Sequence, residues 1–435
     1  MIPWSSWGRL SAAPHHLEFL ASRSQLTRQL TALHLQEDPA ICFGAGRSYG
    51  DVALNPEKRL LLTRSLDNFI AFNPGTGLLD CESGVLLGDI QQRFAAQGWL
   101  LPVSPGTQHV TVGGAIANDV HGKNHHEQGN FGHHVRHLTL IRSDGSRQTL
   151  PHTDAGLFRA TIGGLGLTGV IVSAQIQLMR IPGPWLEQQT IAFHGLNDFF
   201  SLSAQSSATW PYTVAWIDCS INTPRGLFIR ARSGKNQTAE VSPLHYRRMP
   251  FVPPFSLVNS LSLRLFNQLY FHYHAAKSTL EQVHYQQFLY PLDHIQDWNR
   301  LYGPAGFYQY QCVIPPEYAP EAIAELLHAI SRSGQGSFLA VLKTFGNRPS
   351  LGMLSFPRPG TTLALDFPAQ TKTTEALFLR LDAIVRQANG SIYMAKDARM
   401  PVDLFHSGYP QWEKFLQYRD PGMSSALSRR LLRSN

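Results

Sequence analysis

The chain has 435 residues, of which 43% are hydrophobic and 15% are charged, and its formal net charge is +7. This is the composition of a globular protein, and the length predicts two domains, either of which can be discontinuous in sequence. Cys42, Cys81, Cys219 and Cys312 lie far apart without a CxxC pair. Their spacing argues against a zinc ribbon and a disulfide-built scaffold, and it favours a reducing compartment.

The charge and the hydropathy pattern limit the location and the partners. The N-terminal residues lack the pattern of a secretory signal, and no run approaches the ~20 apolar residues that span a bilayer. We therefore expect a cytoplasmic protein, soluble or peripheral at the inner membrane face. The positive charge is consistent with an anionic ligand, an anionic membrane surface or nucleic acid. We expect no nucleic acid, because the sequence shows no dense Lys/Arg stripe and no recognisable binding module.

The predicted elements mix helix and strand along the whole chain, without an internal repeat. In chain order they are a polar helix at 24–38, strands at 40–43, 60–63 and 78–81, a helix at 87–96, strands at 138–142 and 170–181, an apolar helical segment at 255–273, a helix at 320–333, a strand at 337–344 and a helix at 374–388. The run Pro182-Gly183-Pro184 ends the strand at 170–181, and we place a domain boundary there.

The first glycine-rich segment, GAGRSYGD at 44–51, follows directly after a predicted strand. Its glycines allow close approach of the backbone to a phosphate and leave N–H groups free to bind it, while Arg47 and Ser48 add donors. A tight structural turn would explain one or two of these glycines. Taken alone, the segment leaves both interpretations open.

The second segment, residues 105–126, is a long run of small residues, hydroxyls and amides without an amphipathic period. This composition favours contact with the extended backbone of a cofactor over a packed helix. The histidines that continue to His137 suggest metal, but no cysteine or carboxylate joins them in a recognised ligand pattern. We therefore predict no metal site.

The third segment, GGLGLTG at 163–169, contains a formal GxGxxG. In a Rossmann unit this motif follows a strand and opens a helix, whereas here a helical stretch precedes it and a strand follows. The context excludes the NAD interpretation. Three separate glycine-rich loops favour one long, diphosphate-bearing cofactor.

These three loops, in this order, resemble the FAD-binding domain of the vanillyl-alcohol-oxidase superfamily. More specific strings resemble the decaprenylphosphoryl-β-D-ribose 2′-oxidase family, and the resemblance extends over nearly the whole chain. These strings are GRSYGD (46–51), VTVGGAIA (110–117), HGKNHH (121–126), WNR (298–300), YGPAGF (302–307), QYQ (309–311), LKTFG (342–346) and AKD (395–397).

The resemblance implies an α+β, two-domain fold. A discontinuous FAD-binding domain at 1–184 and 391–435 would enclose a substrate domain at 185–390, built on a mainly antiparallel sheet. The implied reaction oxidises the 2′-hydroxyl of a polyprenyl-phosphate-linked ribose to a ketone, and an NAD(P)H-dependent reductase partner then gives the arabinose epimer. A lipid-linked phosphosugar substrate also implies peripheral membrane contact.

The resemblance also assigns the site residues. Lys396 matches the catalytic lysine beside flavin and substrate, where a base or a positive group is needed as the substrate hydroxyl loses its proton. Substrate contacts fall on His121, Lys123, Tyr302, Gln309, Gln311 and Lys343. Cofactor contacts fall on Gly44, Ala45, Gly46, Arg47, Ser48, Tyr49, Gly106, Thr107, Thr111, Gly113, Gly114, Asn118, His121, Gly122, Asn124, Gly166, Gly169 and Lys396.

Two departures from the family pattern stand out. Ala364 occupies the position of a cysteine found in the best-known members, so covalent inhibitors that need this thiol should not react here. The stretch from about 221 to 275 does not match confidently, which leaves the sugar and the lipid chain open. A soluble sugar-alcohol or aldonolactone oxidase of the same superfamily and a flavin-binding scaffold for a reductase are the alternative functions.

We predict that FAD is held without a covalent bond. Many superfamily relatives attach flavin through a histidine in the first loop, where this chain has Arg47. Denaturation should therefore release the yellow colour into the supernatant. Flavin that stayed with the precipitated protein would contradict the assignment of this loop.

Overall fold

The computed structural model describes residues 1–10, 12–221, 223–234, 246–276 and 279–432. The strands in these ranges are β1 (Ile2–Ser5), β2 (Ala12–Phe19), β3 (Ala40–Phe43), β4 (Arg59–Leu62), β5 (Phe69–Asn73), β6 (Leu78–Glu82), β7 (Trp99–Leu100), β8 (Val135–Ile141), β9 (Arg147–Pro151), β10 (Val170–Gln177), β11 (Met179–Arg180), β12 (Trp185–His194), β13 (Tyr212–Ile217), β14 (Arg225–Ser233), β15 (Arg247–Arg248), β16 (Glu281–His284), β17 (Ile295–Gln296), β18 (Phe307–Ile314), β19 (Val341–Phe345), β20 (Gly360–Pro368) and β21 (Ser391–Ile392).

The α-helices of the described ranges are α1 (Leu26–Ala32), α2 (Leu87–Phe94), α3 (Val112–Ala117), α4 (His125–Gln128), α5 (Leu157–Thr161), α6 (Leu196–Ser206), α7 (Ser260–Ala275), α8 (Tyr285–Leu289), α9 (Ala319–Ser333), α10 (Thr371–Gln387), α11 (Val402–Gly408), α12 (Trp412–Leu416) and α13 (Ala426–Leu431). Short 3-10 turns cover Thr63–Ser65, Ala95–Gln97, Phe131–His134 and Trp298–Tyr302.

Three sheets organise the chain. A four-stranded sheet in the order β1-β2-β4-β3 and a five-stranded antiparallel sheet in the order β5-β6-β10-β8-β9 are built from the first 177 residues. An eight-stranded antiparallel sheet has the order β16-β12-β14-β13-β19-β20-β18-β21. The mixed α and β content and the antiparallel sheets agree with the expected fold class, whereas the division into two domains stays a prediction.

The two faces of the eight-stranded sheet have different roles, because side chains alternate between the faces of a strand. One face carries apolar residues such as Ala215, Leu342 and Leu363, which pack in one core with residues of α6, α9 and α10. On the opposite face Trp216 packs against Phe271 of α7. The same face of β18, β19 and β20 is polar and forms one wall of a cavity.

Some predicted boundaries were wrong for local reasons. The helix predicted at 24–38 ends at Ala32, because His34 adopts a φ of +46° that an α-helix does not contain. The strand predicted at 170–181 is interrupted at residue 178 and becomes β10 and β11. The strand predicted at 337–344 begins only at Val341.

The C-terminal segment returns to the first glycine loop. Tyr49 donates its N–H to the carbonyl of Ala395 at 3.1 Å. A Cβ on Gly50 would lie 1.6 Å from the carbonyl oxygen of Asp397, so only glycine permits this approach of the two backbones. The Arg430 guanidinium contacts the carboxylates of Asp51 and Asp397, each at 2.9 Å. The loop and the residues around Lys396 are therefore fixed to each other.

Candidate active site

The three glycine loops, the C-terminal segment and the polar face of the eight-stranded sheet surround one cavity of about 560 Å³. This size is typical of a cofactor or substrate pocket. The cavity is lined by Gly44 to Tyr49, by Gly106 and Thr107, by Thr111, Gly113, Gly114 and Asn118, by His121 to Lys123, and by Leu165, Gly166 and Gly169. Residues 291–298 form another part of its wall.

The first glycine loop offers a run of free backbone donors to the cavity. The N–H groups of residues 45–48 donate to no acceptor among the described residues. Gly46 has a φ of +64°, which lets the loop turn its amides in one direction. Successive free amides of this kind form a concave site for an anion. The loop therefore fits a diphosphate.

Several buried polar atoms along the cavity have no hydrogen-bond partner among the described residues. They include Ser83 Oγ, Arg47 Nε and Asn118 Oδ1. Buried polar atoms nearly always have partners in folded proteins, and an unpaired one costs free energy. These donors and acceptors therefore fit a polar ligand in the cavity.

The second glycine-rich segment was predicted to be an extended loop rather than a packed helix, and the structure differs from this prediction. Its centre forms α3, whose N-cap Thr111 accepts a hydrogen bond from the Gly114 N–H at 3.1 Å. The N–H groups of Val112 and Gly113 donate to the carbonyls of Val85 and Ser83. Here the small side chains, rather than free amides, bring the backbone close to the cavity. Small residues hide the helical period, which explains the wrong prediction.

The third loop has the predicted context. Helix α5 precedes it and strand β10 follows it, the reverse of a Rossmann motif. Gly166 and Gly169 both have positive φ angles and line the cavity.

Two lysines line the cavity, Lys123 from the second loop and Lys343 from strand β19. Lys123 Nζ donates to the carbonyl of Phe288 and lies 4.4 Å from the centre of that ring. Lys343 Nζ donates to the carbonyl of Gly122 at 3.0 Å. Burial lowers the pKa of Lys123 to about 7, and burial together with the charge of Lys123 lowers the pKa of Lys343 to about 7. Neither ammonium forms an ion pair with a described carboxylate, so the site favours an anionic ligand.

Lys396 lies beside Tyr49 and a buried carboxylate. Its Nζ is 3.6 Å from the centre of the Tyr49 ring. Burial lowers the pKa of Lys396, and the charge of Asp366 opposes this shift. Burial likewise raises the pKa of Asp366, which accepts a hydrogen bond from Gln309 Nε2 at 2.6 Å. This group can hold or release a proton next to a substrate.

Gln311 and His121 form a second polar pair. The Gln311 side-chain amide lies 3.2 Å from His121 Nε2 and 3.3 Å from Thr362 Oγ1. Burial lowers the pKa of His121 far below its usual value, with a further contribution from the charge of Lys343. The imidazole is therefore neutral, and its buried Nδ1 has no partner among the described residues.

Most of the residues assigned by resemblance come together at this cavity, but two do not. Tyr302 is buried behind the wall and stacks on Phe307 at 4.2 Å between ring centres. Asn124 is buried as well and donates from Nδ2 to the carbonyl of Pro102 at 2.7 Å. Neither side chain lines the cavity, because each is used in packing or in a structural hydrogen bond.

Three further residues line the cavity that were not predicted from the sequence, namely Asp366, Thr362 and Ser83. Asp366 is an acidic residue in an otherwise apolar strand, LALDFP, and it faces Gln309 across the β18–β20 ladder. A carboxylate at a central strand position was the signal that could have identified it. Ser83 and Thr362 carry no comparable signal.

Comparison with known proteins identifies the family. A model of the FAD binding domain matches residues 14–151. The chain is 35% identical over 421 residues to decaprenylphosphoryl-β-D-ribose oxidase of Mycolicibacterium smegmatis, covering 90% of this chain and 88% of the relative. The chain belongs to this family.

Other relatives match less well. An uncharacterized protein in the mprA 5′ region of Streptomyces coelicolor is 30% identical over 360 residues, which cover 77% of this chain and 96% of that protein. L-gulonolactone oxidase of Scyliorhinus torazame is 23% identical over 176 residues, 40% of each chain.

The protein is thus an FAD-dependent oxidoreductase of the vanillyl-alcohol-oxidase superfamily. Its residues fit the cofactor, since the amides of residues 45–48 suit the diphosphate and the unpaired Asn118 and Ser83 suit polar groups of the flavin or ribityl chain. The described residues contain no group of three or more His, Cys, Asp or Glu side chains that could hold a metal ion.

The position of Ala364 bears on inhibition. Ala364 lines the cavity and lies opposite Gln311 in the sheet. Cys42 also lines the cavity, but burial, aided by the charge of Asp420, raises the pKa of its thiol to about 12. Cys42 therefore does not provide a reactive thiol in place of the cysteine that Ala364 replaces.

Substitutions at Gly114 and Lys396 should separate cofactor binding from chemistry. Gly114→Leu places a side chain where the backbone approaches the cavity, so the variant should purify nearly colourless. Gly75→Leu, at an exposed turn, is the matched control and should keep its flavin.

Lys396→Ala should keep FAD but lose turnover by more than about 100-fold. Flavin absorbance per chain and steady-state rates measure both effects. A yellow Gly114→Leu protein or an active Lys396→Ala enzyme would contradict these assignments.

Proposed function

We propose that the protein oxidises the 2′-hydroxyl of a ribose linked to a polyprenyl phosphate, giving the 2′-ketone. The paired ammonium groups of Lys123 and Lys343, without a carboxylate partner among the described residues, are the observation that carries this proposal. The name of the relative from M. smegmatis supports it, since that protein is a decaprenylphosphoryl-β-D-ribose oxidase.

A phosphate would complete the charge balance of the cavity. Each buried ammonium has one carbonyl acceptor and a nearby aromatic ring, Phe288 for Lys123 and Phe345 for Lys343. Such contacts leave most of the desolvation cost of a cation uncompensated. A phosphodiester between the sugar and its lipid would accept hydrogen bonds from both lysines and restore their pKa values. The sugar would then be held at a fixed distance from Lys396.

The oxidation removes a hydride from the carbinol carbon and a proton from its hydroxyl. FAD supplies the hydride acceptor. Lys396 would act on the hydroxyl proton, either as the base or as a cation that stabilises the developing alkoxide. Asp366 would tune the charge of Lys396, while Gln309 and Gln311 would orient the sugar hydroxyls.

The proposal extends to the partner and the domain arrangement. A 2′-ketone becomes an arabinose when hydride is added to the opposite face, so the product requires an NAD(P)H-dependent reductase partner.

We further propose that FAD is bound without a covalent bond in a discontinuous domain at 1–184 and 391–435. The contacts of Tyr49 with Ala395 and of Arg430 with Asp51 support the return of the C-terminal segment to that domain. Strand β21, at 391–392, pairs with β18, so the chain leaves the eight-stranded sheet close to this proposed boundary. A cytoplasmic location at the inner membrane face is part of this proposal.

An aldonolactone or sugar-alcohol oxidase is the second candidate function. The match to L-gulonolactone oxidase supports it, but that match covers only 40% of the chain. An uncharged lactone would leave Lys123 and Lys343 without an anionic partner. A scaffold without activity is not favoured, because Lys396, Asp366 and the Gln pair all line the cavity.

Flavin bleaching without oxygen tests the proposal. Short-prenyl phosphoribose should bleach the flavin, whereas ribose 5-phosphate and aldonolactones should bleach it more than about tenfold more slowly. Lys343→Met should raise KM for phosphoribose by more than about tenfold, since it removes a charged hydrogen bond. Arg386→Met, at an exposed surface ion pair, is the charge-matched control. Faster bleaching by lactones, unaffected by Lys343→Met, would favour the second candidate.

The pH dependence of turnover should report on Lys396. The Asp366 carboxylate raises the pKa of Lys396, so Asp366→Asn should move the limb that belongs to Lys396 to lower pH. A limb that rises with pH identifies Lys396 as a base, and a limb that falls identifies it as a cationic stabiliser. Profiles of kcat/KM for wild type, Asp366→Asn and the exposed control Asp403→Asn give the comparison. An unshifted limb in Asp366→Asn would exclude the coupling.

A further inference from the structure

Helix α7 is apolar on two faces. Its inner face is anchored by Leu263, which packs with Trp298 and Tyr302, and by Phe271, which packs with Trp216. Between them Asn267 Nδ2 donates to Asp218 Oδ1 at 2.9 Å, and Asp218 also pairs with Arg225 at 3.2 Å. The helix is therefore held in one orientation, and it begins at a capping box formed by Asn259 and Ser262.

The outer face of α7 carries large apolar side chains that are exposed. Leu261, Leu265, Leu269 and Tyr273 recur every four residues and are 77%, 60%, 63% and 61% exposed. An i, i+4 spacing places them along one stripe. The stripe continues into the preceding segment, and we call the whole surface the α7 patch. It consists of Phe251, Val252, Phe255, Leu257, Leu261, Leu265, Phe266, Leu269 and Tyr273, all at least 37% exposed.

The charged residues within the segment 246–276 have one sign, and one of them, Arg248, pairs with Asp297 at 2.7 Å. Residues 246–276 contain no Asp or Glu but include Arg247, Arg248 and Arg264, all exposed, together with two histidines. The whole chain carries a net charge of +7. An apolar stripe in a segment that carries Arg247 and Arg264 and no acidic residue of its own is the pattern of a helix that lies in the interface of an anionic bilayer. A helix that packs on another soluble domain needs no such exclusion of acidic residues.

The α7 patch lies next to the cavity mouth. Exposed Arg248, Ile295 and Gln296 line the cavity where β15 pairs with β17. Trp298, which also lines the cavity, packs against Leu263 on the inner face of α7. The outer face of α7 is thus separated from the cavity wall by one helix, a thickness of ~10 Å.

We propose that the α7 patch docks the protein on an anionic lipid bilayer, with α7 parallel to the surface and the cavity mouth facing the headgroups. None of the described helices is long and apolar enough to cross a membrane, so docking would be peripheral. The benefit to catalysis rests on the proposed function: a prenyl tail stays in the bilayer while its phosphoribose enters the cavity. The docking itself requires only the α7 patch.

Vesicle flotation tests the docking. The FAD-loaded chain should float with vesicles of phosphatidylcholine and phosphatidylglycerol, much less with phosphatidylcholine alone, and less at high salt. Leu265→Glu/Leu269→Glu should lower the vesicle-bound fraction by more than about tenfold. Leu379→Glu, at an equally exposed leucine on α10 (71% exposed), is the matched control and should float like wild type. Flotation of the double variant at the wild-type level would overturn the proposal.

Further measurements separate the other outcomes. Unchanged flavin content and thermal unfolding of the double variant would show that it is folded. As a second probe, an environment-sensitive dye is attached to the Leu265→Cys variant. Its fluorescence emission should shift to shorter wavelength on anionic vesicles, and an unshifted emission spectrum would contradict insertion. Sedimentation without lipid tests whether the α7 patch instead binds a second copy of the chain. If the wild type forms a dimer that the double variant does not form, and the wild type does not bind vesicles, the α7 patch is a dimer interface and the proposal is wrong.

Activity distinguishes failure of docking from failure of the proposed function. Both wild type and the double variant should oxidise water-soluble short-prenyl phosphoribose equally, whereas long-prenyl substrate in vesicles should require the α7 patch. Oxidation of the short substrate without flotation of wild type would remove docking and keep the function. Flotation that depends on the α7 patch, without oxidation of either substrate, would keep docking and remove the function.

Discussion

Desolvation of charged side chains on one face of the eight-stranded sheet constrains the whole site. Strands β18, β19 and β20 each place apolar residues towards α9 and α10 and polar residues towards the cavity. Gln309, Lys343 and Asp366 thus project from rigid, hydrogen-bonded backbone rather than from loops. A sheet resists the small movements that would let these groups reach water. The charges of Lys343 and Asp366 must therefore be compensated by a nearby group of opposite charge or by a ligand.

The compensation is uneven, and the difference separates two parts of the cavity. Lys396 has Asp366 as a nearby opposite charge, which raises the pKa of Lys396 against the effect of burial. Lys123 and Lys343 have no described carboxylate partner, and the charge of Lys123 adds to burial in lowering the pKa of Lys343. A region with a balanced acid and base suits proton transfer, whereas a region with two uncompensated cations suits binding of an anion. The first region would suit the hydroxyl, and the second the phosphate, of the substrate proposed above.

The sequence was informative where a residue's backbone or charge was unusual. The glycine loops at 44–51 and 163–169 are visible in the sequence as clusters of small residues, whereas Lys123, Lys343 and Lys396 were assigned only by the resemblance to the family. Asp366 was missed although its position in an apolar strand was visible. Tyr302 was assigned to the substrate by its motif alone, and its stacking on Phe307 depends on tertiary contacts that no local pattern reveals. The segment 255–273 was predicted only as an apolar helical segment, and α7 has both a buried and an exposed apolar side, since Leu263 is buried while Leu265 is exposed.

The C-terminal segment that carries Lys396 is linked to the first glycine loop. Lys396 is the residue before Asp397, whose carboxylate accepts hydrogen bonds from the Met400 N–H at 2.8 Å and from Arg430 at 2.9 Å. The backbone of Asp397 in turn touches Gly50, directly after the loop whose free amides suit a diphosphate. Any shift of the first loop would therefore move Lys396 with it. Because proton and hydride transfer depend on sub-ångström distances, this coupling of the two segments would keep Lys396 aligned with a cofactor bound at the loop.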